Sequence, residues 1–198
     1  PNGQGFGEFL GFCAGHLTNY FDSELSHNGQ PISTKGYITD VLTDAALSFM
    51  EKNADKPFFC YVPYNAPHTP HQVPEAYFQK HKKTGLSDEL ASIYGMVENV
   101  DDNVGRLLRK LHDLGLDKNT IVVFATDNGP NGKHYNGDMK GVKGHVDEGG
   151  VRVPFFISWP DRIKPQTVKS IAAHIDLLPS LVELCDFPKP DTRPLDGK

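Results

Sequence analysis

A run of five apolar residues leads directly into a polar turn in Ile121-Val122-Val123-Phe124-Ala125-Thr126-Asp127-Asn128-Gly129. The apolar run is typical of a strand that is buried on both faces. Asp127 and Asn128 then offer a carboxylate and an amide oxygen, which are hard ligands suited to Ca²⁺ or Mg²⁺. Gly129 is expected to let the backbone turn sharply away. Because Asp, Asn and Gly also favour ordinary turns, this segment alone leaves both interpretations open.

Apolar patterning on either side of this segment predicts alternating helices and strands. Two further apolar runs are interpreted as buried strands, over residues 58–62 and 153–157. Helical spacing predicts three helices, over residues 38–53, from Leu90 to about Gly115, and around 176–185. Strands separated by helices of this length predict an α/β fold with a layered sheet.

The first 37 residues differ from the rest, since they are rich in Gly, Asn and aromatic residues and lack sustained periodicity. Asn28-Gly29 predicts a tight hairpin turn within this loop- and hairpin-rich lead-in. Residues 38–198 carry the alternating helices and strands. The opening Pro1-Asn2-Gly3 has no leader character, so we expect it to lie inside a longer protein.

The composition of the chain argues against some classes of function. The 198 residues are 38% hydrophobic and 23% charged, with a net charge of −5, which is typical of a globular domain or a large piece of one. No basic stripe points to a nucleic-acid partner, and no apolar run approaches the ~18 residues of a membrane span. Three widely spaced cysteines, Cys13, Cys60 and Cys185, are predicted to be small buried hydrophobic residues.

A second polar segment, Asn65-Ala66-Pro67-His68-Thr69-Pro70-His71, follows the apolar run at 58–62. Its prolines restrict the backbone and would hold His68 in a fixed direction. An imidazole there can donate a hydrogen bond to an anionic oxygen or protonate a leaving group. A histidine on a surface loop with no role is the alternative interpretation.

A third segment rich in glycine and charge runs from Lys140 to Pro154 and includes Lys143-Gly144 and Glu148-Gly149-Gly150. Glycine at this density lets backbone and lysine groups approach an anion closely. A flexible loop with solvated charges is equally compatible with the pattern. In open α/β sheets, binding groups collect beyond the carboxyl ends of strands, and the first two segments fit that rule.

Together the three segments resemble, in their residues and in their order along the chain, the formylglycine-dependent sulfatases of the alkaline-phosphatase superfamily. The matching motifs are Ala66-Pro67-His68-Thr69-Pro70, Thr126-Asp127-Asn128-Gly129, and Lys143-Gly144 followed by Glu148-Gly149-Gly150-Val151-Arg152-Val153-Pro154. Gly11 to His16, Asn19 to Asp22 and His174 to Leu181 also look like this family. The resemblance covers nearly the whole chain. It implies that residues 1–198 are the C-terminal portion of a sulfatase catalytic domain, with an incomplete α/β/α alkaline-phosphatase-like sheet.

By this resemblance, Asp127 and Asn128 complete a calcium site. His68 and Lys143 contact the sulfate group and take part in catalysis, while Glu148 and Arg152 hold their loop in place. The family's Cys/Ser-x-Pro-x-Arg nucleophile motif, whose first residue becomes formylglycine, is expected in a missing upstream part. Ser158-Trp159-Pro160-Asp161-Arg162 matches its letters, but we reject it because it lies downstream of the metal motif.

The resemblance further implies a sulfuric-ester hydrolase acting on a sulfated small molecule or glycan, completed by the remainder of the same enzyme. This chain alone is expected to be inactive. Family membership points to a periplasmic, extracellular or lysosomal location. Two alternatives stay open: a phosphodiesterase or phosphonate hydrolase of the same superfamily, and a non-catalytic module that binds an anion or a glycan.

Overall fold

The lead-in folds into a three-stranded antiparallel sheet. A computed structural model describes residues 1–132, 134–188 and 193–198, and its first strands are β1 (Leu10–Gly11), β2 (Glu24–His27) and β3 (Gln30–Ser33). The strand order is β1-β2-β3, with Leu25 opposite Ile32. Asn28 and Gly29 connect β2 to β3 with positive φ angles of 50° and 86°, as a two-residue hairpin turn requires. The hairpin prediction is confirmed.

Three long helices follow. They are α1 (Ile38–Lys52), α2 (Glu75–Lys82) and α3 (Asp88–Asp113). Helix α3 begins where the Ser87 hydroxyl accepts a hydrogen bond from the Leu90 N–H, and Gly115 follows its end with a φ of 69°. The predictions of α1 and α3 are confirmed. Helix α2 was not predicted, because residues 75–82 have no periodic apolar pattern.

The main core lies between the lead-in sheet and the helices. Its buried members are Tyr20, Leu25, Tyr37, Ile38, Leu42 and Met96. Tyr20 and Tyr37 stack within it, with ring centroids 5.8 Å apart. Because Tyr20 and Tyr37 come from the lead-in and Met96 from α3, the core fixes the lead-in against the helices.

Polar groups also join α1 to α3. Asn99 and Asn103, each 1% exposed, donate hydrogen bonds of 3.1 and 2.7 Å to one carboxylate oxygen of Asp40. The Arg106 guanidinium donates to Asn103 Oδ1 and pairs with the Asp44 carboxylate. Buried polar groups of this kind fix the register of the two helices, because any shift would leave them without partners.

The remaining strands are β4 (Val122–Ala125) and β5 (Phe155–Ser158), which pair antiparallel with Val123 opposite Ile157. Between them lies the one-turn helix α4 (Glu148–Val151). Both strands were predicted, β5 with a shift of one to two residues. The prediction of burial is wrong for both strands: β4 is only partly buried and its Ala125 is exposed, while Phe155 and Phe156 of β5 are 45% and 65% exposed.

The strand predicted at residues 58–62 is wrong. This segment makes no strand pairing within the described ranges. Phe58 packs edge-on against Phe49 of α1 with ring centroids 5.7 Å apart, whereas Phe59 and Tyr61 are 66% and 67% exposed. The apolar composition was correct for an extended segment, but no neighbouring strand is present to satisfy its backbone.

The chain divides into two units, Pro1–Ile163 and Lys164–Lys198. The described part of the second unit contains helix α5 (Leu177–Leu184), with Pro179 in its first turn as predicted. Asp176 precedes it, and its carboxylate accepts hydrogen bonds from the Ala173 and Lys198 N–H groups at 2.7 and 3.0 Å. These bonds lower the pKa of Asp176 below its ordinary value.

The cysteine prediction needs correction. Cys13 and Cys185 are exposed, and only Cys60 is partly buried, where burial raises the pKa of its thiol. All three are free thiols. Among the described residues, no helix has the length and apolar character needed to cross a bilayer.

Candidate active site

The segment from Asn65 to His71 is an irregular loop whose backbone accepts hydrogen bonds from a buried tyrosine. The Tyr20 hydroxyl donates toward the His68 carbonyl oxygen at 2.6 Å and the Asn65 carbonyl oxygen at 3.0 Å. The Tyr37 hydroxyl donates to the Gln72 carbonyl at 2.9 Å, just beyond the loop. The backbone around His68 is therefore fixed by side chains of the core.

Burial keeps both tyrosines in the protonated, donating form. It raises the pKa of Tyr20 to about 12 and shifts that of Tyr37 in the same direction. Sequence reasoning missed this role. Tyr20 lies in Asn19-Tyr20-Phe21-Asp22, which resembles the family pattern, but nothing in a single sequence links Tyr20 to a loop so distant along the chain.

The His68 ring is exposed and has a defined tautomer. Its Nδ1 lies 2.8 Å from the Thr69 carbonyl oxygen. Because a carbonyl can only accept, Nδ1 carries the hydrogen and Nε2 is left to exchange a proton or to contact a ligand. His16 stacks on this ring, with centroids 5.7 Å apart and planes 30° apart.

His71, at the end of this loop, is partly buried, and its Nδ1 lies 3.7 Å from a carboxylate oxygen of Glu89. Burial lowers the pKa of His71, the neighbouring Glu89 carboxylate opposes that shift, and the charges of His134 and His68 lower the pKa further. His134 belongs to the segment that follows Asn128. Charges in the His68 loop and in the post-β4 segment therefore both lower the pKa of His71.

The post-β4 turn exposes oxygen ligands. Asp127 Oδ1 accepts a hydrogen bond from the Asn128 N–H at 2.9 Å, and the Asn128 amide donates to the Gly129 carbonyl at 2.9 Å. Asp127 Oδ2 and Asn128 Oδ1 are left for a ligand. Two such oxygens suit part of a calcium shell, which takes six to eight. Within the described ranges, no cluster of three His, Cys, Asp or Glu residues could hold a metal.

Glycines fasten this turn to the loop that carries Lys143. The Gly129 N–H donates to the Gly150 carbonyl, and the Lys143 N–H donates to the Pro130 carbonyl, both at 2.9 Å. A Cβ added at Gly129 would lie 1.8 Å from the Gly149 oxygen. Gly129 is therefore required because only a glycine can pack this closely. The sharp turn expected from the sequence does not explain it, since the φ angle of Gly129 is not positive.

Lys143 itself is exposed, and its ammonium has no ion-pair partner among the described residues. Its neighbours are paired: Lys140 with Asp147 at 3.0 Å, and Arg152 with Glu148 at 3.5 Å. The Glu148–Arg152 pair fits the expectation that these residues hold the loop. Lys143 is thus the cation of this loop that remains open to an anion.

The rejected match at Ser158-Trp159-Pro160-Asp161-Arg162 is a turn after β5. The Arg162 guanidinium lies over the Trp159 ring, 5.5 Å from its centroid, and the Arg162 N–H donates to the Trp159 carbonyl at 3.0 Å. A helix does not begin at Ser158. Residues of this segment therefore contact one another and stabilise a turn.

Comparison with known proteins gives the family. The sulfatase family model matches residues 1–187. The chain is 34% identical to the uncharacterized sulfatase YdeN of Escherichia coli over 203 aligned residues, covering 100% of this chain and 36% of YdeN. It is 32% identical to human arylsulfatase A, covering 80% of this chain and 29% of that protein.

Among solved structures, the chain is similar to Ps i-CgsB in complex with k-i-k-neocarrahexaose. The TM-score is 0.92 at 32% identity, covering 100% of this chain and 49% of that one. These relatives and the mixed α/β architecture define the alkaline-phosphatase-like fold, which confirms the predicted fold class. The chain belongs to the sulfatase family of sulfuric-ester hydrolases. It spans about a third to a half of the length of these relatives.

Proposed function

We propose that this chain is the C-terminal portion of a sulfatase catalytic domain and supplies the sulfate-contacting and part of the metal-binding half of its active site. Two observations support this: backbone hydrogen bonds join the Asp127–Asn128 turn to the loop that carries Lys143, and His68 belongs to a second exposed loop that the core holds in place. The polar atoms without a hydrogen-bond or ion-pair partner among the described residues are His68 Nε2, Asp127 Oδ2, Asn128 Oδ1 and Lys143 Nζ. All belong to the Pro1–Ile163 unit.

Asp127 Oδ2 and Asn128 Oδ1 would hold a calcium ion together with oxygens from the rest of the enzyme. Calcium bound there would offset negative charge on the sulfuryl oxygens. Lys143 adds a second positive charge from the facing loop, to which the Asp127 turn is tied by backbone hydrogen bonds. Charge that develops on the sulfuryl oxygens is then stabilised from two directions.

His68 Nε2 serves as the proton donor to the leaving oxygen. The Thr69 carbonyl holds the proton on Nδ1, so that Nε2 is the atom that gains and loses a proton during turnover. The nucleophile, a formylglycine in this proposal, comes from the remainder of the same enzyme. Without it, this chain alone does not turn over sulfate esters.

The remainder of the enzyme covers apolar surface of the first unit. Phe59, Tyr61 and Phe156 are each at least 65% exposed. A groove of about 300 Å³ lies between α3 and the β4–β5 pair, and it is lined by Val97, Val100, Asp101, Val104, Phe124 and Phe156. Since relatives are two to three times longer, the missing sequence is sufficient to fill this surface.

A sulfated glycan is the proposed substrate class, supported by the carrahexaose bound to Ps i-CgsB. From its family we also propose that the enzyme is periplasmic, extracellular or lysosomal.

The test compares the 198-residue chain, the full-length enzyme and its His68→Ala and Lys143→Ala variants. Sulfate release is followed from a sulfated oligosaccharide and from an aryl sulfate, with calcium and with a chelator. We expect release only by the full-length enzyme, with each variant reduced at least ~100-fold. Phosphate release from a diester without sulfate release would favour the phosphodiesterase alternative, and saccharide binding without any release would favour the binding module.

A further inference from the structure

A second imidazole lies beside the proposed catalytic histidine. His16, in the segment between β1 and Tyr20, stacks on His68 with ring centroids 5.7 Å apart and ring planes 30° apart. Both residues are exposed. The fold therefore presents two histidine rings from distant parts of the sequence on one open surface.

Contacts with the core hold the segments that carry His16 and His68, so the stacking of the two rings does not depend on the rings alone. Phe12 and Leu17, on either side of His16, pack against the main core. A little further on, the Tyr20 N–H donates to Gln72 Oε1 at 2.8 Å, and the Tyr20 hydroxyl lies 2.6 Å from the His68 carbonyl oxygen. The segments carrying the two rings are thus fixed to each other.

The polar atoms of His16 are open. Within residues 1–132, 134–188 and 193–198, neither of its ring nitrogens has a hydrogen-bond partner, and its ring contact is with His68. His68 uses Nδ1 on the Thr69 carbonyl. The pair therefore presents three free ring nitrogens, two of them on His16.

We propose that His16 binds a hydroxyl group of the sulfated saccharide beyond the sulfate itself and so determines specificity for the saccharide part of the ester. The inference rests on the proposed function, in which His68 contacts the leaving oxygen. With ring centres 5.7 Å apart, the two imidazoles face neighbouring groups of one bound ester. A neutral imidazole has one nitrogen that donates and one that accepts, so His16 can form hydrogen bonds of either kind with a hydroxyl group.

The test uses the full-length enzyme and its His16→Ala and His16→Gln variants, with His112→Ala as a matched control. His112 is an exposed histidine in the last turn of α3 that pairs with Asp117. We expect His16→Ala to lower kcat/KM on a sulfated oligosaccharide by on the order of tenfold, mainly through KM, as for other lost contacts to a substrate hydroxyl. On 4-nitrophenyl sulfate, which lacks the saccharide, the change should stay within about twofold. The His16→Gln variant keeps a hydrogen-bonding group and should recover part of the loss.

A second readout does not depend on turnover. Calorimetric affinity for the desulfated oligosaccharide should fall by a similar factor in His16→Ala and stay unchanged in His112→Ala. Equal loss on both esters with a displaced pH profile would overturn the inference, since His16 would then act by positioning His68. Unchanged kinetics on both esters would overturn it as well. If the wild-type enzyme released no sulfate from either ester, the proposed function would fail together with the inference.

Discussion

The Tyr20 hydroxyl lies 2.6 Å from the carbonyl oxygen of His68, so that a fully buried core residue holds the backbone of an exposed site residue. The Tyr20 N–H also donates to Gln72 Oε1 at 2.8 Å and its hydroxyl donates toward the Asn65 carbonyl oxygen, so Tyr20 anchors both ends of the loop that carries His68. The position of the His68 imidazole is therefore determined by a residue of the core.

Removing this hydroxyl should cost stability and activity together. Tyr20→Phe leaves the His68 carbonyl without its donor, which we expect to lower the free energy of unfolding by about 1–2 kcal/mol. Urea denaturation of the full-length enzyme measures this, with Tyr61→Phe as the control because Tyr61 is 67% exposed. Equal midpoints for the two variants would contradict the anchoring role.

Calcium affinity should depend on the Asp127 carboxylate. Asp127→Asn keeps the size of the side chain but removes its charge, so we expect calcium to bind at least ~10-fold more weakly to the full-length enzyme. Asp138→Asn is the matched control, because Asp138 is exposed, lies in the same segment and has a φ of 59°, which asparagine tolerates. Titration calorimetry gives both affinities. Equal affinities would exclude Asp127 as a ligand.

Close packing of glycines makes Gly129 intolerant of any side chain. In Gly129→Ala the new methyl would lie 1.8 Å from the Gly149 carbonyl oxygen, which is backbone and cannot rotate away. We expect a loss of at least ~2 kcal/mol of stability and weaker calcium binding, because the turn must separate from the Lys143 loop. Gly7→Ala serves as the control, since no atom lies within 4 Å of its added Cβ. A Gly129→Ala variant as stable as Gly7→Ala would contradict this packing.

The Glu98 carboxylate should make stability depend on acid pH. Its hydrogen bond to Lys80, and a second one to His81 at 2.8 Å, hold the pKa of Glu98 below its ordinary value of 4.5. A lowered folded-state pKa stabilises the protein above 4.5, and the benefit is lost as pH falls through the folded pKa.

The corresponding measurement compares wild type with Glu98→Gln at pH 7 and pH 3. The variant should be less stable at pH 7, by under about 1 kcal/mol because the pair is near the surface, and the difference should shrink as pH falls below 4.5. Glu183→Gln is a control without an ion pair in the described structure. A difference of the same size at pH 7 and pH 3 would show that Glu98 acts through packing instead.

Sequence patterns predicted the elements whose stability is local. Asn28-Gly29 determines its own backbone angles, and α3 carries its capping serine and its apolar stripe within one segment. Helix α2 was missed because it is attached to α3 by polar contacts, such as Tyr77 with Asp102 at 2.8 Å, instead of an apolar stripe. The strand at residues 58–62 failed because strand pairing depends on a partner outside the segment.

The same distinction applies to the site. Asp127, Asn128, His68 and Lys143 could be proposed as site residues because each lies in a short motif that is recognisable in the sequence. The contributions of Tyr20 and His16 depend on contacts between distant segments, which one sequence does not reveal. Gly129 was identified correctly as important but for the wrong reason, since its role is visible only when Gly149 is placed against it.

The contact of Gly129 with Gly149 and Gly150 also limits how this region can change in evolution. With backbone against backbone, neither side can accept an inserted residue without displacing the other. Length variation among homologues is therefore expected in the connection between Pro130 and Lys140 and not at these glycines. Two short sequence blocks of fixed length, separated by a spacer of variable length, would be the lasting signature of this packing.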